Sequence, residues 1–266
     1  MTAQFVHLHI HSEYSLVDGT VRINALTSAC AENNMPAVAL TDRANLFGMV
    51  KFYKSAMGAG IKPIIGSEIW IRDQEDVNNP FSLVLLVKND IGYKNLTRII
   101  SRAYIDGQHL GMAMVDYEWL TPETCEGLIA LSGAADGDIG RALVAGNEEL
   151  ALSRLDNWLE VFADNFYLEL QRTAHAVDER CLHGSVKLAS EKQVPVVATN
   201  NVRFLKQDDF QAHEIRVCIH EGRTLDDPRR PKNFTDHQYL RTAEEMVELF
   251  ADIPSAIENT VEIARR

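Results

Sequence analysis

No Cys-x-x-Cys pair occurs in this chain; Cys30, Cys125, Cys181 and Cys218 stand far apart. That spacing excludes a zinc ribbon and offers no disulfide framework, so reduced, packed thiols are expected. Also missing is any apolar run near the roughly 18 residues that a membrane-spanning helix needs. The start, Met-Thr-Ala-Gln, lacks the basic-then-apolar order of a signal peptide. A cytoplasmic protein without a membrane partner is the expectation. Basic residues are short as well, 26 Lys and Arg against 38 Asp and Glu, for a formal charge of −12. Neutralising phosphates supplies most non-specific affinity for DNA, so a free-standing DNA-binding module would carry a basic face. One basic run, Arg229-Arg230-Pro231-Lys232, does not reverse that balance. This chain should hold DNA only weakly, and a protein partner suits its charge better. A Gly-Lys-Ser/Thr phosphate loop and a Gly-x-Ser-x-Gly elbow are both lacking, and Gly58-Ala-Gly60 precedes a strand-type segment instead of following one.

What is present begins at the amino terminus. Val6, Leu8 and Ile10 alternate with His7, His9 and His11, and no further histidine comes before His109. A strand with that pattern puts three imidazoles on one face and three aliphatics on the other. Imidazoles two residues apart, with Asp18 just downstream, suit a divalent transition metal. A pH-sensitive or solvent-facing strand is the duller alternative.

At 266 residues and 46% hydrophobic content the chain can bury a substantial core. Strand-type and helix-type segments alternate along it. Strands are expected at 5–11, 37–41, 63–71, 82–87, 127–132, 166–170 and 195–199. Helices are expected at 23–34, 45–59, 91–105, 147–163 (Leu150, Leu155, Leu159 and Phe162 inward) and 177–193, with only helical patterns after 207. Continuous apolar strands separated by helices argue for a parallel sheet covered by helices. Polar residues end nearly every strand (His11, Asp42, Glu68, Ser132, Gln171, Asn200), which favours a closed barrel with its chemistry at that end. Asp136-Gly-Asp138 reads as a helix cap before it reads as a metal pair. His213 and His220 are expected in solvent or at the core edge, His175 and His183 on the surface. The tryptophans are expected to pack.

Several motifs recur in order: His9-Ile-His11-Ser, Thr41-Asp42, Gly66-Ser-Glu68, Gly92-Tyr-Lys-Asn-Leu96, Leu131-Ser-Gly133, Val197-Ala-Thr-Asn200, and Leu249-Phe-Ala-Asp-Ile-Pro254 through Asn259-Thr260. On these the chain resembles the polymerase and histidinol phosphatase (PHP) domain that opens the alpha subunits of bacterial DNA polymerase III. The resemblance spans essentially the whole chain. It implies one domain over 1–266 with a distorted seven-stranded (β/α)7 barrel and additional C-terminal helices, about 242–266 leading toward a polymerase core. That core, with its Mg and its DNA-synthesising aspartates, would lie outside this chain. Members with an intact site hold Zn or Mn and act as phosphoesterases or 3'-5' exonucleases.

Position by position, the family's ligand set survives only in part. His9, His11, Asp18 and Glu68 match ligand positions, and Asp42 matches the neighbouring acid. Arg43 stands where the family has His, Ser82 where a His opens the fourth strand, Ala134 after Leu-Ser-Gly, and Asn201-Val-Arg203 in place of Asp-x-His. Arginine cannot ligate a metal, because its guanidinium stays protonated, but it can supply the charge that a metal supplied. A remnant cleft of Asp42, Arg43, Asn201 and Arg203 is therefore expected, with the arginines neutralising Asp18, Asp42 and Glu68 and no bound metal or catalytic residue. Two alternatives stay open: one metal on His9, His11 and Glu68 or Asp18, making the domain a residual metal-dependent 3'-5' exonuclease or phosphoesterase/pyrophosphatase, or a phosphate or pyrophosphate pocket made by the arginines. The resemblance further implies two partners, the proofreading epsilon exonuclease and the remainder of the polymerase chain.

Overall fold

The computed structural model describes residues 4–266; Met1 to Ala3, part of the start weighed above against a signal peptide, lie outside the described residues. The strands are β1 (Ala37–Leu40), β2 (Lys62–Ile71), β3 (Phe81–Val87), β4 (Gln108–His109), β5 (Met112–Val115), β6 (Leu128–Leu131), β7 (Phe166–Gln171) and β8 (Val196–Thr199). They run in the order β4-β5-β2-β3-β6-β7-β8, with β1 on β2. The extended stretch 7–11 joins the two ends. Ala39 N and Thr41 N donate to His7 O and Ile10 O on one side; His11 N donates to Val202 O, and Val202 N to His9 O, on the other. The mixed α/β sheet thus curls into a ring.

Two expectations change here. The sheet is not all parallel: β3 is antiparallel to both β2 and β6. Only the short loop 72–80 separates β2 from β3, too short for the crossover that a parallel pair requires. Stretch 5–11 is not a regular strand either, since its only ladder bridge is Ile10 to Val202. Without a continuous ladder the period of two fails. Val6 and Leu8 pack with Ala39, Ile64, Val84 and Val197 inside the ring, whereas Ile10 packs outside with Leu26 and Phe52. The facing therefore switches between Leu8 and His9.

Elsewhere the period of two holds and builds the interior. On β2 Ile64 and Glu68 share a face, on β3 Leu86 and Ser82, on β7 Tyr167 and Glu169, on β8 Val197 and Thr199. The first of each pair lines an apolar floor; the second lies in a polar upper layer. Helix α9 (Pro254–Arg265) closes that floor with Val261, Ile263 and Ala264. Thr260 Oγ1 accepts from Val6 N at 3.0 Å.

The remaining helices are α1 (Ile23–Glu32), α2 (Met49–Gly58), α3 (Asp90–Asp106), α4 (Asp138–Ala145), α5 (Glu148–Phe162), α6 (Asp178–Lys192), α7 (Phe210–Glu221) and α8 (Ala243–Leu249). No helix among the described residues is long and apolar enough to cross a membrane. On α5 the inward stripe is Ala151, Leu155, Trp158 and Phe162, while Leu150, in the first turn after the Asn147 cap, is 39% exposed and does not face inward. The β4–β5 hairpin has no counterpart among the expected elements, whereas α4 is the helix that the Asp136-Gly-Asp138 reading implied. The hairpin turns through Leu110 and Gly111, both at positive φ, as a two-residue turn matched to strand twist requires.

Asp138 is no simple cap, since the residue capping α4 is Gly137. Its buried carboxylate accepts from Trp158 Nε1 at 3.0 Å and from Tyr117 OH at 2.5 Å. All four cysteines are free and buried.

One glycine of the motif set has a plain steric reason. A Cβ on Gly92, in the first turn of α3, would lie 1.9 Å from Gly127 O, and Gly127 itself needs φ +76°. Backbone cannot yield as a side-chain tip does. Gly92→Ala is expected to cost about 3 kcal/mol or more, seen as a lower urea midpoint at unchanged slope.

Candidate functional site

Four of the expected residues converge at the polar end of the ring. His9 and His11 come from the switched stretch, Glu68 from β2, and Asp18 from the loop before α1. All four are buried, Asp18 at 2% and Glu68 at 1% exposure. Arg43 lies between the two acids, with Nε donating to Glu68 Oε2 at 2.7 Å and Nη1 to Asp18 Oδ2 at 2.5 Å. Arg203 is 1% exposed, and its Nη1 sits 2.8 Å from Asp18 Oδ2. That contact is coulombic, because neither Nη1 nor Nε of Arg203 is aligned for a hydrogen bond. Ser82 Oγ donates to Glu68 Oε1 at 2.5 Å.

The electrostatics follow from burial set against these charges. Burial alone would raise Asp18 and Glu68, but the facing guanidiniums outweigh it and hold both at about 2. For Arg203 burial works against the charge and the Arg43 charge adds to it, while Asp18 acts in favour. A guanidinium starts so high that it stays protonated regardless. The ion pairs therefore stand.

Asp42 departs from the expectation. No guanidinium neutralises it; Ser12 N donates to its Oδ1 at 2.7 Å, Ser12 Oγ to its Oδ2 at 2.8 Å and Ser15 Oγ to its Oδ1 at 2.8 Å. Burial pushes it up, with the serine hydrogen bonds opposing. The reason is local: β1 ends at Leu40, and the chain turns so that Asp42 faces the 12–15 turn while Arg43 faces the cleft. Asn201 lies beside the cluster rather than in it. Its φ is +42° and its buried Oδ1 has no hydrogen-bond partner.

Sequence reasoning missed Glu169. It is fully buried on β7, and its Oε1 accepts from His9 Nδ1 at 2.8 Å, Thr199 Oγ1 at 2.5 Å and Gln171 Nε2 at 2.9 Å. Burial raises it, but the His9 contact and these hydrogen bonds bring it lower on balance. The available signal was a lone acid inside the apolar run Phe166-Tyr-Leu-Glu-Leu170.

His213 is not at the core edge. It is fully buried, with Nε2 2.9 Å from Asp18 O, and burial lowers it to about 4. His7 does not share the site face. Its Nε2 meets Arg241 O at 2.8 Å, and burial lowers it to about 4. His175 is half-buried and borders the cleft, while His183 is exposed, as expected of it.

Whether these groups suit a metal is decided by donors and protons. The ligand atoms of His9, His11 and Glu68 lie within 4.8 Å of one another. His9 Nδ1 donates to Glu169, and Ser15 spends its single hydroxyl proton on Asp42, so His11 Nδ1 donates to Ser15 Oγ at 3.0 Å. In neutral rings that leaves two Nε2 lone pairs facing each other at 3.0 Å. One cation between them, a proton or a metal ion, reconciles the contact. Carboxylate-oriented histidines are also how proteins hold zinc. The set fits one ion; at the positions where the resemblance would put further ligands of a multi-metal site stand Arg43, Ser82, Ala134 and Arg203.

Above the cluster opens a cavity of about 460 Å³, lined by Arg43, Trp70, Asp136, Arg141, Arg203 and Phe234 among others. Arg43 Cζ lies 5.2 Å from the Trp70 ring centroid and Arg203 Cζ 5.3 Å from that of Phe234. Trp70 thus does more than pack.

The chain has relatives among known proteins. The PHP domain family matches residues 7–173. The chain is 57% identical to the DNA polymerase III subunit alpha of Pseudomonas fluorescens, over 100% of this chain and 23% of that one. It is 49% identical to that of Escherichia coli strain K12, over 99% of this chain and 23% of that one. It therefore spans about a quarter of the length of these curated relatives. Among solved structures, an amidohydrolase from Chromobacterium violaceum with bound sulfate and no metal aligns with a TM-score of 0.52 at 14% identity, over 79% of this chain and 96% of that one. That likeness concerns the fold alone.

Proposed function

The chain belongs to the PHP domain family, and on that premise we propose that it is the non-polymerising amino-terminal domain of a cytoplasmic DNA polymerase III alpha subunit. In this reading the parent chain carries DNA-directed DNA synthesis during replication, and its synthetic centre lies outside these residues. The domain itself is a scaffold on which the rest of the polymerase packs and the proofreading epsilon exonuclease docks. One observation carries the loss of hydrolysis: two guanidiniums balance Asp18 and Glu68 where ions would otherwise do so. A multi-metal phosphoesterase needs several ligands to bridge its ions and lower the pKa of a bound water, and Arg43, Ala134 and Arg203 have no lone pair to offer one. Binding should be tested by titrating the purified proofreading subunit into this domain by calorimetry, beside a phosphodiester reporter assay with added manganese. Complex formation without turnover is the expected result. Turnover abolished by Glu68→Gln would overturn the scaffold reading.

The facing Nε2 lone pairs of His9 and His11 support a second reading, in which one zinc or manganese ion rests on His9, His11 and Glu68. Such an ion would supply Lewis acidity, and Glu169 would orient His9 beneath it. Burial, Arg203 and the neighbouring imidazole all lower His11, and that environment opposes added positive charge. Elemental analysis of protein purified without a histidine tag is expected to give well under one ion per chain. A stoichiometric ion lost in His11→Ala would establish the second reading instead.

A further inference from the structure

Beside its inward stripe, helix α5 carries a second line of positions, Leu150, Arg154, Asn157 and Val161, that forms one wall of a groove. The other wall is the segment from Arg72 to Glu75 with the 3-10 turn Tyr117–Trp119. The groove holds about 580 Å³. Phe81, Leu120 and Trp158 give it an apolar floor between Leu150 and Val161. Four carboxylates rim it, Asp73, Glu75 and Glu118 on one wall and Glu160 on the other. Among the described residues none of the four is in an ion pair, and the Glu118 side chain accepts only from the neutral Gln74, at 3.4 Å. Two cations line the same groove, and both are engaged elsewhere. Arg72 Nε donates to Asp116 Oδ1 at 2.6 Å. Arg154 Nη1 donates to Asp138 O at 2.6 Å, and its Cζ lies 4.8 Å from the Phe81 ring centroid. With Arg72 balanced by Asp116, four carboxylates face the single charge of Arg154. An excess of one sign over low-dielectric walls focuses the field and draws in the opposite charge.

We propose that this groove seats an extended basic segment of a partner protein, about five residues long, in which lysine or arginine alternates with aliphatic residues. Length sets the form of the occupant: from Leu150 to Val161 the wall runs about 16 Å at 1.5 Å per residue, which five extended residues span at about 3.3 Å each. A period of two turns the aliphatic side chains to the floor. The long basic stems on the opposite face bend back to the rim carboxylates. The inference holds whichever reading of the cleft is right, because His9, His11, Asp18 and Glu68 take no part in lining this groove.

The probes are three capped, fluorescently labelled peptides, Lys-Leu-Lys-Leu-Lys, its sister with glutamate for lysine, and its sister with serine for leucine. Fluorescence anisotropy at 50 mM salt is expected to show the first binding at least tenfold tighter than either sister, with that affinity falling at 300 mM salt. Glu75→Lys with Glu118→Lys should reverse the preference between the lysine and glutamate peptides at an unchanged circular dichroism spectrum, since both side chains are exposed. Leu150→Lys, at a position 39% exposed, should weaken the first peptide at least tenfold. Glu32→Lys with Glu248→Lys makes the same change of charge on α1 and α8 and should leave that affinity within twofold. Equal affinity for the lysine and glutamate peptides, no binding of any peptide, no gain from leucine over serine, or an equal loss in the α1 and α8 variant overturns the proposal. So does a concentration-dependent dimer in sedimentation velocity that Leu150→Lys dissolves, which would make the groove a contact between copies.

Discussion

Arg203→Met is expected to lower the unfolding free energy by about 3–5 kcal/mol, the range for breaking a buried pair by removing one partner. The side chain is 1% exposed and Asp18 2%. Asp18 Oδ1 already lacks a hydrogen bond, so after the substitution its charge rests on Arg43 alone. Methionine roughly fills the volume, which keeps the loss electrostatic. At about 2–4 °C per kcal/mol for a chain of this size, the melting temperature should fall by roughly 10 °C. Adding Asp18→Asn removes the stranded charge and should recover about 2 kcal/mol. Urea titrations of both single variants and the double variant decide it. If the double loses the sum of the singles, Arg203 serves packing and the charge balance proposed for the cleft is wrong.

Acidification should unfold the domain well above the range where its carboxylates titrate. His7 and His213 sit at about 4 in the fold against an ordinary 6.5, both lowered first by burial. Above pH 6.5 neither the folded nor the unfolded chain binds these protons, and the stability is full. Below it the unfolded chain takes them up and the fold does not, so stability falls as pH drops until about pH 4. Each group costs about 1.4 kcal/mol per pH unit, on the order of 4 kcal/mol for the two between pH 6.5 and 5. Asp18 and Glu68, held at about 2, contribute stability that is present above their ordinary values and disappears only as pH falls from about 4 toward 2. Urea midpoints at pH 7.5 and 5.0 measure the first window. Burial also lowers His11, so His213→Gln should flatten that pH dependence by roughly a third; an unchanged slope would mean that His213 is protonated in the fold.

The alternation of strands and helices was legible because each buried strand is a continuous apolar run, and all the expected strands and helices but the stretch 5–11 lie within a few residues of their positions. The convergence of His9, His11, Asp18 and Glu68, and the arginines facing two of those acids, could be anticipated from residue chemistry plus resemblance. Three features could not. Strand direction at β3 depends on which way the loop 72–80 returns, and composition does not encode that. The facing of His7 depends on a break in regular pairing between Leu8 and His9. Glu169 was hidden because an acid in an apolar strand looks like an outward-facing residue until the ring closes around it. Asp42 went wrong for a related reason: adjacent residues leaving a strand point to different neighbours, and Arg43 took the cleft.

The bond from Thr260 to Val6 spans 254 residues of chain. A ribosome adds about 5–20 residues per second, so the stretch that completes the ring waits roughly 10–50 s for the helix that seals its floor. During that interval Val6, Leu8 and the interior faces of the early strands have no lid, and chaperone capture competes with ring closure. Slowing translation late in the message should prolong that exposure more than slowing it early.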